Sequence, residues 1–535
     1  MTDLTTRVTL PTPAGEPRPA RQAPPAEPDQ TAAAPADEQP STGRGPKMSQ
    51  ADVLLHMGMD EYVLVRCDQT AYAVPAEGPP IARPLRAAGG FAGTGSLRQL
   101  LNRSYVLRTG RAPSQGCLTD AIASMASIAA VDAPDQPVHL RIAPDPVEKQ
   151  ATWLDLGRPD GLSVCIEPGT WSVTTPPVGE GPLWRRTRLS GELPLPERDP
   201  GGWQAGLGQL RELSALAEPS WRMAVAWLLA GLRPNMPRPI AYFNGERGTA
   251  KTTTARQLLR VLDGIRAEVR NVPRSEDDGA VAASAGWTMG LDNIAGIPQW
   301  LSDFLCRTVT GASVAKREMY TDDDVTSWAY QRPVLLTGID VGALQPDLAE
   351  RLLPFTLEAI DPKARRSEHD LWSRYQAAHG RILGSLLDLA AAVWARLPDA
   401  AAQLAHRPRM ADWAELLWAL DAVTGWDTLA TYTGSQEEIT DDVLDADPVA
   451  TALTRWASTA DTTQWQATTG QIDTALRPPG PLPDAWPKTT ALLSARLTSL
   501  APALRQRGID IRKLPRTGSG RGFLITLNPA PGLGA

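Results

Sequence analysis

Apolar and polar residues change rhythm several times along the chain, and each change predicts a different kind of element. Residues 1–47 hold ten prolines and eight alanines and almost no large apolar side chain. Such a segment cannot bury enough surface to offset its ordering entropy, so a disordered tail is expected. From 48 to 200 short alternating runs recur at 62–66, 71–74, 138–143, 152–156, 162–167 and 171–174. Gly, Pro and Asp turns separate them, and one helix-like stretch spans 117–130, a pattern that predicts an N-terminal α+β domain.

Helical spacing follows at 203–232 through Leu207, Leu210, Leu213 and Leu216. Strand and helix signals alternate from 239 to about 360, and 367–432 reads as mostly helical. The polar, acidic stretch 434–447 predicts a linker. The last part reads as helices followed by two strand runs, 509–514 and 522–527, around a Gly-Ser-Gly turn, which suits a winged helix. The expected organisation is a tail (1–47), an N-terminal α+β domain (48–200), an α/β nucleotide-binding domain (201–365), a helical region with an acidic linker (366–446) and a winged-helix DNA-binding domain (447–535). A chain of 535 residues is too long for one core, which agrees with several domains.

Composition sharpens this picture only locally. The formal charge is −7, yet between Trp486 and Asn528 eight basic residues (Lys488, Arg496, Arg505, Arg507, Arg512, Lys513, Arg516, Arg521) face one acid, Asp510. A basic end on an acidic protein suggests a localised polyanion contact, although a solvated basic face would read the same way. Four scattered cysteines and five histidines make a structural zinc site an unattractive reading and suit a reducing cytoplasm. No signal peptide and no membrane-length apolar run is visible, so a cytoplasmic protein without a membrane partner is expected.

The strongest chemical signal is Gly245, Glu246, Arg247, Gly248, Thr249, Ala250, Lys251 and Thr252, continuing into Thr253. A short apolar stretch precedes it and a helix-like segment follows. That context fits a phosphate-binding P-loop, in which backbone N–H groups and the helix N-terminus hold an anion. Lys251 would reach the β- and γ-phosphates of ATP, and the Thr252 hydroxyl would hold Mg²⁺. Ala250 stands where Gly is usual, and a helical backbone there would tolerate it. About forty residues on, a second strand-like run ends in Asp292, the expected second Mg²⁺ partner, although an Asp-Asn turn would look similar. Asn293 follows where many motors carry Glu. Asp303 is the nearest alternative carboxylate, or else it only caps or solvates its helix. Thr337 ends a buried strand beside the expected γ-phosphate. Arg351 stands where ring ATPases carry a residue that reaches into the neighbouring subunit, or it simply pairs with Asp347 or Glu350. A hairpin expected at 314–330 carries Lys316 and Arg317, which could meet DNA or merely water.

Taken in order, these elements resemble the ATP-binding proteins of actinobacterial phages and integrative elements. That group is similar to the phage and plasmid primase-helicase ATPases of helicase superfamily 3. The carrying residues are the 245–252 loop, Leu291-Asp292-Asn293-Ile294, Trp300 through Arg307, Thr310-Gly311, Arg317, Tyr320-Thr321-Asp322, Arg332-Pro333 through Ile339, Pro346-Asp347-Leu348 and Arg351. Further out, Val138-His139-Leu140-Arg141, Trp153 through Gly157, Pro408 through Trp413 and Trp486-Pro487-Lys488 extend the likeness over about 50–527. It implies an AAA+-like P-loop ATPase core with ATP and Mg²⁺ as cofactors. It also implies DNA as partner, a homo-oligomeric ring such as a hexamer, and a separate primase or polymerase. Thr337 replaces the family's usual Asn, and Asn293 leaves the general base unassigned. No primase-like carboxylate cluster stands out in 48–200.

Three functions therefore compete. The first is an ATP-driven DNA motor, a replicative helicase of a mobile element, with DNA contacts from Arg496, Arg505, Arg507, Lys513, Arg516 and Arg521. The second is a slowly hydrolysing, nucleotide-dependent DNA-binding switch or loader. The third is a small-molecule P-loop kinase, disfavoured by the length and by the basic terminal domain.

Overall fold

The computed structural model describes residues 48–86, 95–244, 249–317, 325–338, 345–404, 408–515 and 522–528, apart from 265, 267, 362, 364 and 484. The expected tail lies outside these residues.

The chain enters through α1 (Gln50–Glu61). Its first turn is closed by a capping box in which Ser49 and Asp52 satisfy each other's backbone N–H groups. Strands β1 (Tyr62–Cys67), β2 (Thr70–Pro75) and β3 (Arg83–Pro84) form an antiparallel sheet. Helices α2 (Leu97–Thr109) and α3 (Gln115–Asp132) complete a small core around Leu54, Leu101, Ile122 and Met125. Helices α1 and α2 were not read from the alternation of apolar residues, and each buries only three residues. A parallel pair follows, β4 (Val138–His139) with β9 (Leu183–Trp184). Between them β5 (Ile142–Pro144), β6 (Thr152–Asp155), β7 (Ser163–Glu167) and β8 (Thr170–Thr174) make an antiparallel sheet.

Helices α4 (Trp203–Leu213) and α5 (Glu218–Gly231) lead into a five-stranded parallel sheet. Its strands are β10 (Ile240–Phe243), β11 (Val269–Arg270), β12 (Met289–Ile294), β15 (Val334–Gly338) and β16 (Leu352–Phe355). Helices α6 (Lys251–Asp263), α7 (Glu276–Ala285), α8 (Gln299–Thr310) and α9 (Pro346–Ala349) connect them, and a hairpin of β13 (Ala312–Arg317) and β14 (Val325–Tyr330) is inserted before β15. The order across the sheet is β11-β12-β15-β10-β16. From the neighbours β10 and β15 the chain departs in opposite directions, to β11 on one side and β16 on the other. Such a switch point opens a crevice at the strand C-termini.

The rest begins with the 36-residue α10 (Glu368–Gln403), α11 (Ala411–Thr424) and α12 (Thr428–Ala446). After them come α13 (Pro448–Thr459), β17 (Gln464–Thr468), α14 (Thr469–Leu476), α15 (Thr490–Gln506), β18 (Ile509–Lys513) and β19 (Gly522–Leu527). Two expectations are corrected here. The acidic stretch 434–447 is no linker, since all but its last residue lies in α12. That helix buries Tyr432 and Leu444, and Asp441 and Asp445, four residues apart on one face, each accept from Arg507 at 2.7 Å. The terminal hairpin is in fact a three-stranded sheet, because β17 pairs with β19. Its alternation is short and polar, so it escaped notice.

One hydrophobic core runs through segments on both sides of positions 200 and 365. It contains Leu154 and Ile166 of the β5–β8 sheet, Trp227 of α5, Leu258 of α6, Leu386 and Trp394 of α10, and Trp413 of α11. A buried ion pair stitches the same boundary. Arg141, 1 % exposed in its side chain, donates from Nε to Asp263 at 3.0 Å. Its other nitrogens reach the carbonyls of Asp155 (2.8 Å), Gly191 (2.6 Å) and Asp263 (3.1 Å). The second Asp263 oxygen accepts the N–H groups of Trp287 (3.0 Å) and Thr288 (3.1 Å). Gly264 follows with φ +76°, and a Cβ there would stand 2.6 Å from the Glu192 carbonyl. The turn needs glycine for both reasons. No helix among the described residues is long and apolar enough to cross a membrane.

Removing one member of such a pair strands a charge in the interior. Asp263→Ala should lower the unfolding free energy by about 3–5 kcal/mol, read as a shift of the urea midpoint. The double variant Arg141→Met with Asp263→Ala should recover part of it. A loss below about 1 kcal/mol would show that the pair does not hold this boundary.

Candidate functional site

β10 is buried along its whole length, as expected of a central parallel strand, and points its C-terminus toward the start of α6. Gly245, Glu246, Arg247 and Gly248 lie outside the described residues. The chain reappears at Thr249, and Ala250 is the N-cap of α6 with φ 59° and ψ 22°. The expected helical backbone at Ala250 is thus corrected, because the residue is left-handed. Among the described non-glycine residues with positive φ, the others are Asp68, Asn235 and Asn293, types that tolerate this region. Two of the four, Ala250 and Asn293, flank the predicted site. Lys251, Thr252 and Thr253 form the first turn of α6, where the helix dipole favours an anion.

The structure brings Thr252, Asp292 and Thr337 together. Thr252 Oγ1 donates to Asp292 at 3.1 Å from Oδ1 and 3.3 Å from Oδ2. Thr337, 1 % exposed, donates its hydroxyl to Asp292 Oδ1 and accepts the Asn293 N–H at 3.2 Å. Asn293 N–H also donates to Asp292 at 3.0 Å. β12 and β15 are adjacent and parallel, with a register irregularity between Leu291 and Ile294, the span that holds Asp292 and the left-handed Asn293. Two neighbouring ligands of an octahedral Mg²⁺ at about 2.1 Å stand about 3 Å apart, so the Thr252–Asp292 spacing fits a shared ion. Among the described residues no group of three or more His, Cys, Asp and Glu could hold a metal. A bound Mg²⁺ would therefore draw its remaining ligands from phosphate and water, its common habit.

Other predicted residues stand apart from this group. Asp303 is on the exposed face of α8 and accepts from Gln299 of the same helix at 2.9 Å, which is the solvated-helix alternative. Arg351 pairs with Asp347 at 2.6 Å and is largely buried, and Arg409 of the α10–α11 connection pairs with both Asp347 (2.7 Å) and Glu350. Burial works to raise the Asp347 carboxyl pKa, but Arg351 and Arg409 outweigh it and hold it below the usual range. The intrachain alternative for Arg351 is the arrangement observed. Arg409 carried no functional reading from sequence, since a pair 62 residues apart leaves no local pattern.

The basic end divides likewise. Arg496 is held by the buried Asp447 at 2.5 Å within the terminal domain, and Arg507 is held by α12 of its neighbour, so neither stands on a free basic face. Arg505 and Arg512 share Asp510 at 2.9 and 2.8 Å while staying mostly exposed, and Lys513 is exposed. Arg516 and Arg521 lie outside the described residues. So do the hairpin's acidic tip at 318–324 and the side chains of Lys316 and Arg317.

These features define a multidomain mixed α/β protein with a parallel sheet whose strand C-termini gather hydroxyl and carboxylate groups. The family of actinomycete integrative conjugative element replication proteins matches residues 208–442, and its RepA C-terminal domain matches residues 449–532. The chain belongs to this family. No curated protein matches its sequence. Similar solved structures include "SCCmec type IV Cch - active helicase", with a TM-score of 0.42 and 11% identity over 87% of this chain and 93% of that one. Another is the apo C-terminal region of NrS-1, with a TM-score of 0.36 and 10% identity over 90% and 99%. Both likenesses are weak.

The left-handed Ala250 yields a directional test. In a right-handed helix Ala→Gly costs about 1 kcal/mol. Here Ala250→Gly should be neutral or stabilising, whereas Ala250→Val should cost at least about 1 kcal/mol, because a β-branched side chain resists positive φ. Urea unfolding of both variants checks this, and the reverse order would place Ala250 in an ordinary helical turn.

Proposed function

We propose that this replication protein is an ATP-dependent DNA motor, a superfamily-3-like helicase of an integrative element, built on an AAA+-like P-loop core with a C-terminal winged helix. The observation that carries the reading is the meeting of the Thr252 hydroxyl and the Asp292 carboxylate at the C-terminal edge of the parallel sheet. A P-loop and its partner carboxylate need that arrangement. ATP would lie with its phosphates against the 245–252 loop and the N-terminus of α6, and Lys251 would meet the β- and γ-phosphates. Mg²⁺, when bound, neutralises charge on the phosphates. Thr252 and Asp292 would hold it, and Thr337 and Asn293 would orient the carboxylate. The exposed Arg505 and Lys513, together with Arg516 and Arg521, supply the cations for DNA.

A second reading, a slowly hydrolysing switch or loader, is favoured by two specific observations. Thr337 is spent on Asp292, and Arg351 is spent on Asp347. A neighbouring subunit gains an Arg351 finger only after that pair opens, which makes turnover conditional on assembly.

ATPase rate with and without single-stranded DNA, measured together with mass in solution, separates the two. Strong stimulation in a ring means a motor, and weak turnover in a monomer means a switch. Lys251→Ala and Asp292→Ala should each abolish hydrolysis, and parental rates in either would show the site to be misassigned. Arg351→Ala should keep ATP binding and lose turnover by roughly 10³-fold if it acts in trans. Mixing it with Lys251→Ala should then restore some activity.

DNA contact has its own signature. The full chain should bind DNA with a log–log salt slope of roughly −0.9 per duplex phosphate contact. Arg505→Glu with Lys513→Glu should weaken binding to all sequences alike and flatten that slope, with DNA-independent ATPase unchanged. A salt-insensitive interaction would remove DNA from the reading.

A further inference from the structure

A cavity of about 460 Å³ lies where the N-terminal strands meet the sheet domain. One wall is the β1–β2 turn with β4, and the other carries Asn235, Trp287 and the two ends of the β13–β14 hairpin, Gly311 and Tyr330. No residue of α6 and no part of the Thr252–Asp292 group lines it.

Its charge is one-sided. Arg86, Arg185 and Arg332 line it against a single carboxylate, Asp68, and among the described residues none of the three arginines forms an ion pair. Their partners are neutral carbonyls. Arg185 donates to Ser284 O at 2.5 Å, and Arg332 donates to Ala283 O at 2.8 Å and Gln331 O at 3.0 Å. Beneath them Arg238, fully buried, also reaches only carbonyls, of Met236 and Arg233, and its Nη1 has no partner. The Arg238 and Arg332 guanidinium groups both lie over the Trp287 ring. Burial first, and then the nearby Arg185, pushes Arg332 down to about 10, against a smaller opposing pull from the buried Asp263, whose own ion pair is with Arg141. Burial, then Arg332, pushes Arg238 down to about 9. Both remain cations at neutral pH, in a place where charge without a counterion is costly. Burial lowers His139 to about 4, so it contributes a ring and no charge.

We infer that this cavity is a second ligand site, one that takes a nucleoside phosphate. The arginines supply planar donors for a phosphate. Tyr72 and His139 supply ring surface for a base, and the Gln69 and Asn235 amides can pair with its edge in either sense. The volume falls in the range of small-molecule pockets. Because Gly311 and Tyr330 bracket the hairpin, a ligand here touches both of its roots. The nucleotide could be free or could be one unit of a DNA strand, and the recognising chemistry is the same.

The test uses the full chain carrying Lys251→Ala, with calorimetric titration of thymidine 5′-monophosphate, thymidine and a 5′-phosphorylated tetrathymidylate. The monophosphate or the tetranucleotide should bind, and thymidine at least tenfold more weakly. Arg86→Glu, at the exposed rim and without side-chain partners among the described residues, should cut affinity at least tenfold while leaving the thermal midpoint unchanged. Arg185→Gln should do the same, and Arg185→Lys should retain part of the affinity. Preference for the monophosphate assigns a free nucleotide, and preference for the tetranucleotide assigns a strand. Affinities within twofold of the parent in both Arg86→Glu and Arg185→Gln, equal binding of thymidine, or no binding of either phosphate at millimolar concentration would overturn the inference.

Discussion

The buried carboxylate of Asp263 sets the geometry of the candidate site from its far end. It closes α6, and its two oxygens divide between Arg141 and the N–H groups of Trp287 and Thr288 just before β12. α6 runs back along the sheet, so its opposite end lies over the strand C-termini. From Lys251 to Asp263 the helix spans about 18 Å at 1.5 Å per residue. From Trp287 to Asp292 the strand spans about 17 Å at 3.3 Å per residue. Helix and strand pinned together at one end and matched in length must meet again at the other. There Thr252 meets Asp292. Arg141 makes the pin rigid, because a guanidinium with carboxylate and three carbonyl partners has one orientation left.

That rigidity bears on the choice between motor and switch. Thr337 shares the same carboxylate through its hydroxyl and receives the Asn293 N–H. A short hydroxyl committed in both senses has no free donor for a phosphate oxygen. An amide in its place would keep one, having two donors and an acceptor. On the proposed reading a bound nucleotide would still reach Thr337 through Asp292, because a divalent ion that recruited the carboxylate would compete with the threonine for it. Sensing through a metal partner would be less direct and would suit the slowly hydrolysing alternative.

Legibility in the sequence followed the range of each interaction. The helix that starts at Lys251 and the strand that carries Asp292 were readable because each is a local pattern of type and spacing. Two non-local outcomes were not. Arg141 and Asp263 are 122 residues apart, and nothing near either residue announces the other. The fate of Arg351 depended on Asp347 and Arg409, of which only the first is near in sequence. The acidic stretch misled for a different reason. Its Asp and Glu residues suggest solvent, but Asp441 and Asp445 are spaced for a helix and their partner Arg507 lies more than sixty residues on. β17 was lost because a short, polar edge strand carries little alternation.

The same acidic helix ties the basic domain to the parallel sheet. α12 holds Arg507 through Asp441 and Asp445, and Gln436 donates to the carbonyl of Leu352 in β16 at 2.9 Å. β16 pairs with β10, the strand that precedes α6, and it begins directly after Arg351. The terminal domain is therefore connected to the sheet edge through one helix, with polar contacts in its middle and near its C-terminus. Helices transmit displacement with little loss, whereas a linker would absorb it. Opening of the Arg351–Asp347 pair and movement of the terminal domain are in this way bound to a common element. A linker, as the charge pattern first suggested, would have left them independent.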